Sequence, residues 1–138
     1  MVLTLITPEE QKRIFLRLMD YYKKLYPNIL FKQEEKVLSK KDIADVYYTY
    51  PGEEEQASAS DKMALIAEEI SAGYSTPVIL LRRKSKLIVL DGHRRLHVAF
   101  DRGMSWKAFI ISPQKDAEFG IEKMVLGKIK ELFGRKRK

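Results

Sequence analysis

The chain reads as an α+β domain: a small mixed β-sheet packed against helices. Three observations predict this. Val78-Ile-Leu-Leu81 is a continuous apolar run of the kind a strand shows when both its faces are buried. A short basic link, Arg82 to Lys86, joins it to a second apolar run ending at Leu90, so the two predict an antiparallel hairpin. Asp91-Gly92 then ends the second run, and Leu96, Ala99 and Phe100 follow at helical spacing up to Gly103. Continuous apolar runs and segments of helical spacing therefore alternate, as a mixed layered fold requires.

In chain order, Thr7-Pro8-Glu9-Glu10 is a helix start, with Thr7 as cap, Pro8 at the first position and Glu10 closing a capping box. Ile14, Leu18, Tyr22 and Leu25 form one apolar stripe, and Phe15, Met19 and Tyr26 widen it, until Pro27 stops the helix. The tyrosines keep register with aliphatic residues, which predicts packing rather than base stacking. Asn28 to Phe31 is a short candidate strand, and Lys32 to Lys36 is a charged stretch. Ser39-Lys-Lys-Asp42 opens a helical turn carrying Ile43 and Val46, and Tyr47, Tyr48 and Tyr50 suggest extended chain. Pro51 to Ser60 is a loop by composition, with consecutive carboxylates at Glu53, Glu54 and Glu55. Asp61 to Ala72 predicts a helix ended by Gly73. Trp106 to Ile111 is a third strand ended by Pro113, and Lys115 to Phe133 predicts a closing helix with Ile121, Val125, Ile129, Leu132 and Phe133 on one stripe.

Length and composition bound the function. With 138 residues, 45% hydrophobic and 33% charged, one domain with a real core is expected. Within it, residues 1–36 read as an N-terminal helical extension, 40–112 as the core, 115–133 as a C-terminal helix and 134–138 as a basic tail. There is no cysteine, so disulfides, zinc–thiolate sites and a cysteine nucleophile are excluded. The sequence shows no membrane-spanning run and no signal-peptide pattern, which makes a cytoplasmic protein the expectation. The net charge is +7, and Arg135, Lys136, Arg137 and Lys138 supply four of those charges. That tail reads either as a nucleic-acid contact or as a solubilising end.

The chemistry centres on Val89 to His97. Gly92 permits a tight turn and close approach, and the first N–H groups of the following helix point outward at the positive end of its dipole. Such a terminus binds anions. His93, Arg94 and Arg95 add donors and charge suited to phosphate. Asp91 suits a helix cap, a magnesium ligand or a group that orients a hydroxyl. Ordinary turn chemistry, with the arginines on a solvated face, accounts for the same residues. His97 reads as a surface or partly packed residue.

Residues 77–111, with Pro77-Val-Ile-Leu-Leu81, a basic hairpin, Leu87-Ile-Val-Leu-Asp-Gly-His-Arg-Arg-Leu96, a helix ending in Arg102-Gly103 and an apolar strand, resemble the ParB/sulfiredoxin-like superfamily. The resemblance extends over about residues 40–112 and implies that fold, with nucleotide phosphate bound at this turn. Gly92, Arg94 and Arg95 match the Gly-x-Arg-Arg of the CTP-binding ParB partition proteins, which also need a helix-turn-helix region after the core; about 26 residues follow Ser112 here. Sulfiredoxin chemistry needs a cysteine where His93 stands. Asp91, Gly92, His93 and Arg95 match the Asp-Gly-His-His-Arg of the archaeal free serine kinases, while Arg94 replaces their second histidine. Those kinases phosphorylate L-serine with ADP or ATP and place a catalytic glutamate in a segment resembling Pro-His-Glu-Gln. Pro51-Gly-Glu-Glu-Glu-Gln56 lies in the corresponding place, with Glu55 the best match and Glu54 in reserve. Those kinases continue into a longer C-terminal region than this chain carries.

The resemblance thus implies a nucleotide-binding protein, with ADP or ATP and Mg, or CTP, as ligand. It also implies transfer to a small hydroxyl substrate: Glu55 as base, Asp91 and His93 positioning metal or acceptor, Gly92 to Arg95 cradling phosphate. A nucleic-acid protein is the alternative, with Arg82, Arg83, Lys84, Lys86 and the tail meeting DNA and Asp91 with the Glu53–Glu55 loop as a nuclease's carboxylates. A non-catalytic nucleotide switch is a third reading.

Overall fold

The computed structural model describes residues 6–49, 66, 68–70, 73, 75–115, 117 and 119–131. Its centre is a six-stranded mixed sheet. In chain order the elements are α1 (Pro8–Leu25), β1 (Phe31–Leu38), α2 (Lys40–Ala44), β2 (Tyr47–Thr49), β3 (Val78–Arg83), β4 (Lys86–Asp91), α3 (His93–Asp101), β5 (Trp106–Pro113), a 3-10 turn (Ile121–Met124) and β6 (Val125–Lys128). The strands lie in the order β1-β5-β3-β4-β2-β6. β1–β5, β3–β4 and β2–β6 are antiparallel, whereas β3–β5 and β2–β4 are parallel.

Alternation along β3 and β5 divides the core between the two faces of the sheet. Val78, Leu80, Ala108 and Ile110 pack with Ile43 of α2 and Leu96, Val98 and Ala99 of α3. Ile79, Leu81, Phe109 and Ile111 pack with Phe15, Met19 and Tyr22 of α1. Val78 to Leu81 are fully buried, as the continuous apolar run predicts for a strand covered on both sides. The hairpin is antiparallel as expected.

The Thr7–Glu10 capping box forms as read at α1, and the turn expected at Ser39 is a helix, α2, that carries a second box, Ser39 with Asp42. The buried face of α1 is Gln11, Phe15, Met19 and Tyr22, so the wider of the two apolar sets faces the core and Leu25 lies exposed. Tyr22 and Tyr26 pack against Phe119, as packing residues rather than an open stacking platform. Ile66 and Glu68–Ile70 are helical within the segment predicted as a helix, and Gly73 turns with φ +105°.

Three expectations are corrected. The first strand is not Asn28 to Phe31: it runs Phe31–Leu38 and contains the charged stretch. β1 is an edge strand paired along its whole length with β5, and charges on an edge strand discourage pairing with other chains. Residues 31–36 of the supposed helical extension are thus built into the sheet. The closing helix Lys115 to Phe133 is replaced, over the described residues, by coil, the 3-10 turn and β6, with helix only from Ile129. Gly120 and Gly127 take φ +88° and +151° inside that segment, which a continuous helix forbids, and β6 completes the far edge by pairing with β2. Third, Asp91 does not cap α3. It ends β4, and Gly92 occupies the cap position in the left-handed region at φ +102°.

Tyr50, the Pro51–Ser60 loop with Glu53, Glu54 and Glu55, and the tail residues Arg135, Lys136, Arg137 and Lys138 lie outside the described residues. Among the described residues no helix is long and apolar enough to cross a membrane.

Candidate functional site

The turn from β4 into α3 is built to tight tolerance. Ile79 pairs with Asp91 and Leu80 with Val89, which leaves Leu90 as an extra residue in β4. A bulge of this kind bends the strand and re-aims the residue that follows, here Asp91. Gly92 then reverses the chain. A Cβ on Gly92 would stand 2.5 Å from Val78 Cγ1 and 2.9 Å from an Arg95 guanidinium nitrogen, so glycine is required for space as well as for φ. The first intrahelical bond of α3 runs from Leu96 N–H to Gly92 O at 3.1 Å. Among the described residues no side chain caps the N–H groups ahead of it. They sit at the positive end of the helix dipole.

Arg95 turns inward from this helix. It is 6% exposed. One terminal nitrogen donates to Pro77 O at 2.9 Å and to Thr76 O at 3.4 Å; the other donates to Asp91 Oδ2 at 3.0 Å. Gln11, reaching over from α1, donates its Nε2 to the same two partners, Pro77 O at 2.8 Å and Asp91 Oδ2 at 2.9 Å. Trp106 Nε1 donates to Thr76 O at 2.9 Å, and Thr76 Oγ1 donates to Ile6 O. Oδ2 of Asp91 is therefore saturated, while Oδ1 takes no hydrogen bond among the described residues and the side chain is 44% exposed.

His93 opens α3. Burial holds its imidazole below the usual histidine range; the Asp91 carboxylate opposes this and Arg95 adds to it. Its Nε2 is buried with no hydrogen-bond partner among the described residues. Arg94 is half-buried, and burial lowers its guanidinium's pKa.

The structure thus brings Asp91, Gly92, His93, Arg94 and Arg95 together at one end of the sheet. It gives Arg95 to the carboxylate and the 76–77 carbonyls, and places His93 and Arg94 at the start of α3. Gln11, Thr76 and Pro77 are added to the site. Gln11 had one signal in the sequence: it is the polar member of the i, i+4, i+8, i+11 set with Phe15, Met19 and Tyr22.

The basic hairpin lies at the other end of β4, roughly 17 Å away by strand rise. Arg82 pairs with Glu34 at 2.9 Å, and Arg83 donates to Ala117 O. Lys84 takes the turn with φ +57°, and the Lys86 ammonium lies 5.3 Å from the centre of the Tyr47 ring. Lys36, Arg82, Lys86 and Lys128, with Asp42 and Asp45, line a cleft of about 390 Å³ here.

A resident magnesium site would need several hard oxygen ligands. Among the described residues no group of three or more His, Cys, Asp or Glu converges. Asp91 Oδ1 is one open carboxylate oxygen, which fits a magnesium ion that arrives with nucleotide phosphates supplying its other ligands. No protein-family model, curated protein or solved structure matches this chain.

Proposed function

We propose that the protein binds a nucleotide at the turn Asp91 to Arg95, as a member of the ParB/sulfiredoxin-like superfamily, and transfers a phosphoryl group between it and a small hydroxyl compound such as free serine. The observation that carries this reading is the pairing of two features at one turn. Among the described residues an α-helix N-terminus has no side-chain cap, and beside it a carboxylate is held with one oxygen closed and one open. The first takes phosphate; the second takes a hydroxyl or a magnesium ion bound to phosphate.

The roles follow from position. The N–H groups opening α3 hold phosphate oxygens, and Arg94 supplies positive charge. Arg95 and Gln11 fix Asp91. Magnesium, when bound with the nucleotide, neutralises charge on its phosphates. The acceptor oxygen attacks the terminal phosphorus and the bond to the leaving nucleotide breaks. The acceptor's proton passes to a base, for which the resemblance nominates Glu55.

Calorimetric titration with ADP, ATP and CTP, each with magnesium, tests this. Arg94→Ala is the cleaner probe, because Arg95 supports the turn itself. Adenine nucleotide binding that weakens at least about tenfold in Arg94→Ala is the expected result. Glu55→Gln should keep binding and lose turnover over a panel of hydroxyl acceptors. CTP binding alone replaces transfer with a partition-type switch. Absence of binding to all three overturns the reading.

The cleft at the hairpin end favours a second reading, contact with a nucleic-acid backbone through Lys36, Arg82, Lys86 and Lys128. Binding of that kind weakens steeply with salt, whereas a small-molecule kinase does not hold duplex at moderate salt.

A further inference from the structure

We infer that Gln11 is a positioning residue for Asp91, and that α1 is one wall of the ligand site. The inference deepens the reading of the turn as a ligand site and rests on it.

Gln11 is fully buried on the face of α1 that also carries Phe15, Met19 and Tyr22. An amide in such surroundings is costly unless its hydrogens are used. Both are used, on Pro77 O and Asp91 Oδ2. The reversed amide would set its oxygen against those two oxygens, so the orientation is determined by its partners.

Arg95 donates to the same two oxygens from the opposite side of the sheet. α1 packs on one face and α3 on the other, and Gln11 and Arg95 share partners at the end of the sheet, Asp91 and Pro77. A single donor leaves a carboxylate free to rotate about its Cβ–Cγ bond. Two donors on one oxygen, from two directions, leave it one orientation, with Oδ1 directed to the open side. Gln11 therefore determines which oxygen a ligand meets, although it lies 80 residues away in sequence. Among the described residues its own Oε1 is buried without a partner, an acceptor left over once both hydrogens have gone to the site.

Gln11→Leu separates positioning from folding. Both acceptors keep Arg95, so the substitution leaves neither oxygen unpaired and removes the unpartnered Oε1. The melting temperature should stay within a few degrees of wild type. With one of the two donors to Asp91 Oδ2 gone, the amide resonances of His93 and Arg94 in a 15N–1H spectrum should shift. Magnesium-ADP should bind about tenfold more weakly, the usual effect of removing a support behind a ligand-contacting group. Gln11→Asn, too short to span the same distance, should shift the same resonances and, with its amide buried without those partners, melt below Gln11→Leu.

The inference is overturned if the melting temperature is kept and the His93 and Arg94 resonances do not move. A melting temperature that collapses in both variants also overturns it, since Gln11 would then be a structural residue only. If wild-type protein takes no nucleotide, the proposed function falls, while the resonances of the unliganded variants still decide the role of Gln11.

Discussion

Arg95 and Asp91 form an i, i+4 ion pair of 3.0 Å in which the cation is almost wholly buried and the anion is half open. The arginine is the interior half of a group whose exterior half faces solvent. Arg95→Ala removes donors from Pro77 O, Thr76 O and Asp91 at once. A loss of about 2–4 kcal/mol is expected in urea unfolding. Arg95→Lys should recover little of it, because an ammonium cannot reproduce the planar fork that reaches both carbonyls and the carboxylate. A variant as stable as wild type would show the pair to be idle.

Gly92→Ala meets two obstacles, a left-handed backbone and a Cβ 2.5 Å from Val78 Cγ1. The backbone alone costs about 1–2 kcal/mol, and the overlap adds to it. The double variant Gly92→Ala/Val78→Ala should cost less than the sum of the two single changes, since they share one contact. Strict additivity would mean that the turn relaxes around the new methyl group.

His93 sets a pH dependence. Its folded pKa lies below the ordinary 6.5, so the unfolded chain binds the proton more readily. Stability is then fully present above about pH 6.5 and falls as the pH drops below that value toward the folded pKa. His93→Asn should flatten the slope between pH 6.5 and 5 in denaturant midpoints. An unchanged slope would assign the acid sensitivity elsewhere.

Trp106 is the one tryptophan, and its indole N–H binds the Thr76 carbonyl that Arg95 also reaches. Its emission should report ligand binding at the turn. Trp106→Phe leaves that carbonyl with only the 3.4 Å contact to Arg95 and should cost about 1–3 kcal/mol. Nucleotide binding by calorimetry with no change in Trp106 emission would place the ligand away from this turn.

The elements whose signals are local were legible in the sequence. The Thr7 capping box, the helical turn opening at Ser39, the buried strand at Val78–Leu81, the hairpin and the strand–Gly92–helix turn depend on residues within a few positions of one another. β1 and β6 were not legible. β1 is polar because it lies at an edge, and a polar run carries no period. β6 shares its spacing of Ile121, Val125 and Ile129 with a helix, and only Gly120 and Gly127 argued against one.

What the sequence determined by itself was the turn: Asp91, Gly92 and the helix start that places His93 and Arg94. The tertiary structure decided what each group is free to do. Donors from α1 and α3 converge on one oxygen of Asp91 and bury Arg95, because the sheet brings Gln11, Pro77 and Asp91 together across 80 residues. Sequence spacing sets which side chains neighbour each other along a helix or strand. Which of them are consumed by partners from elsewhere in the chain depends on packing.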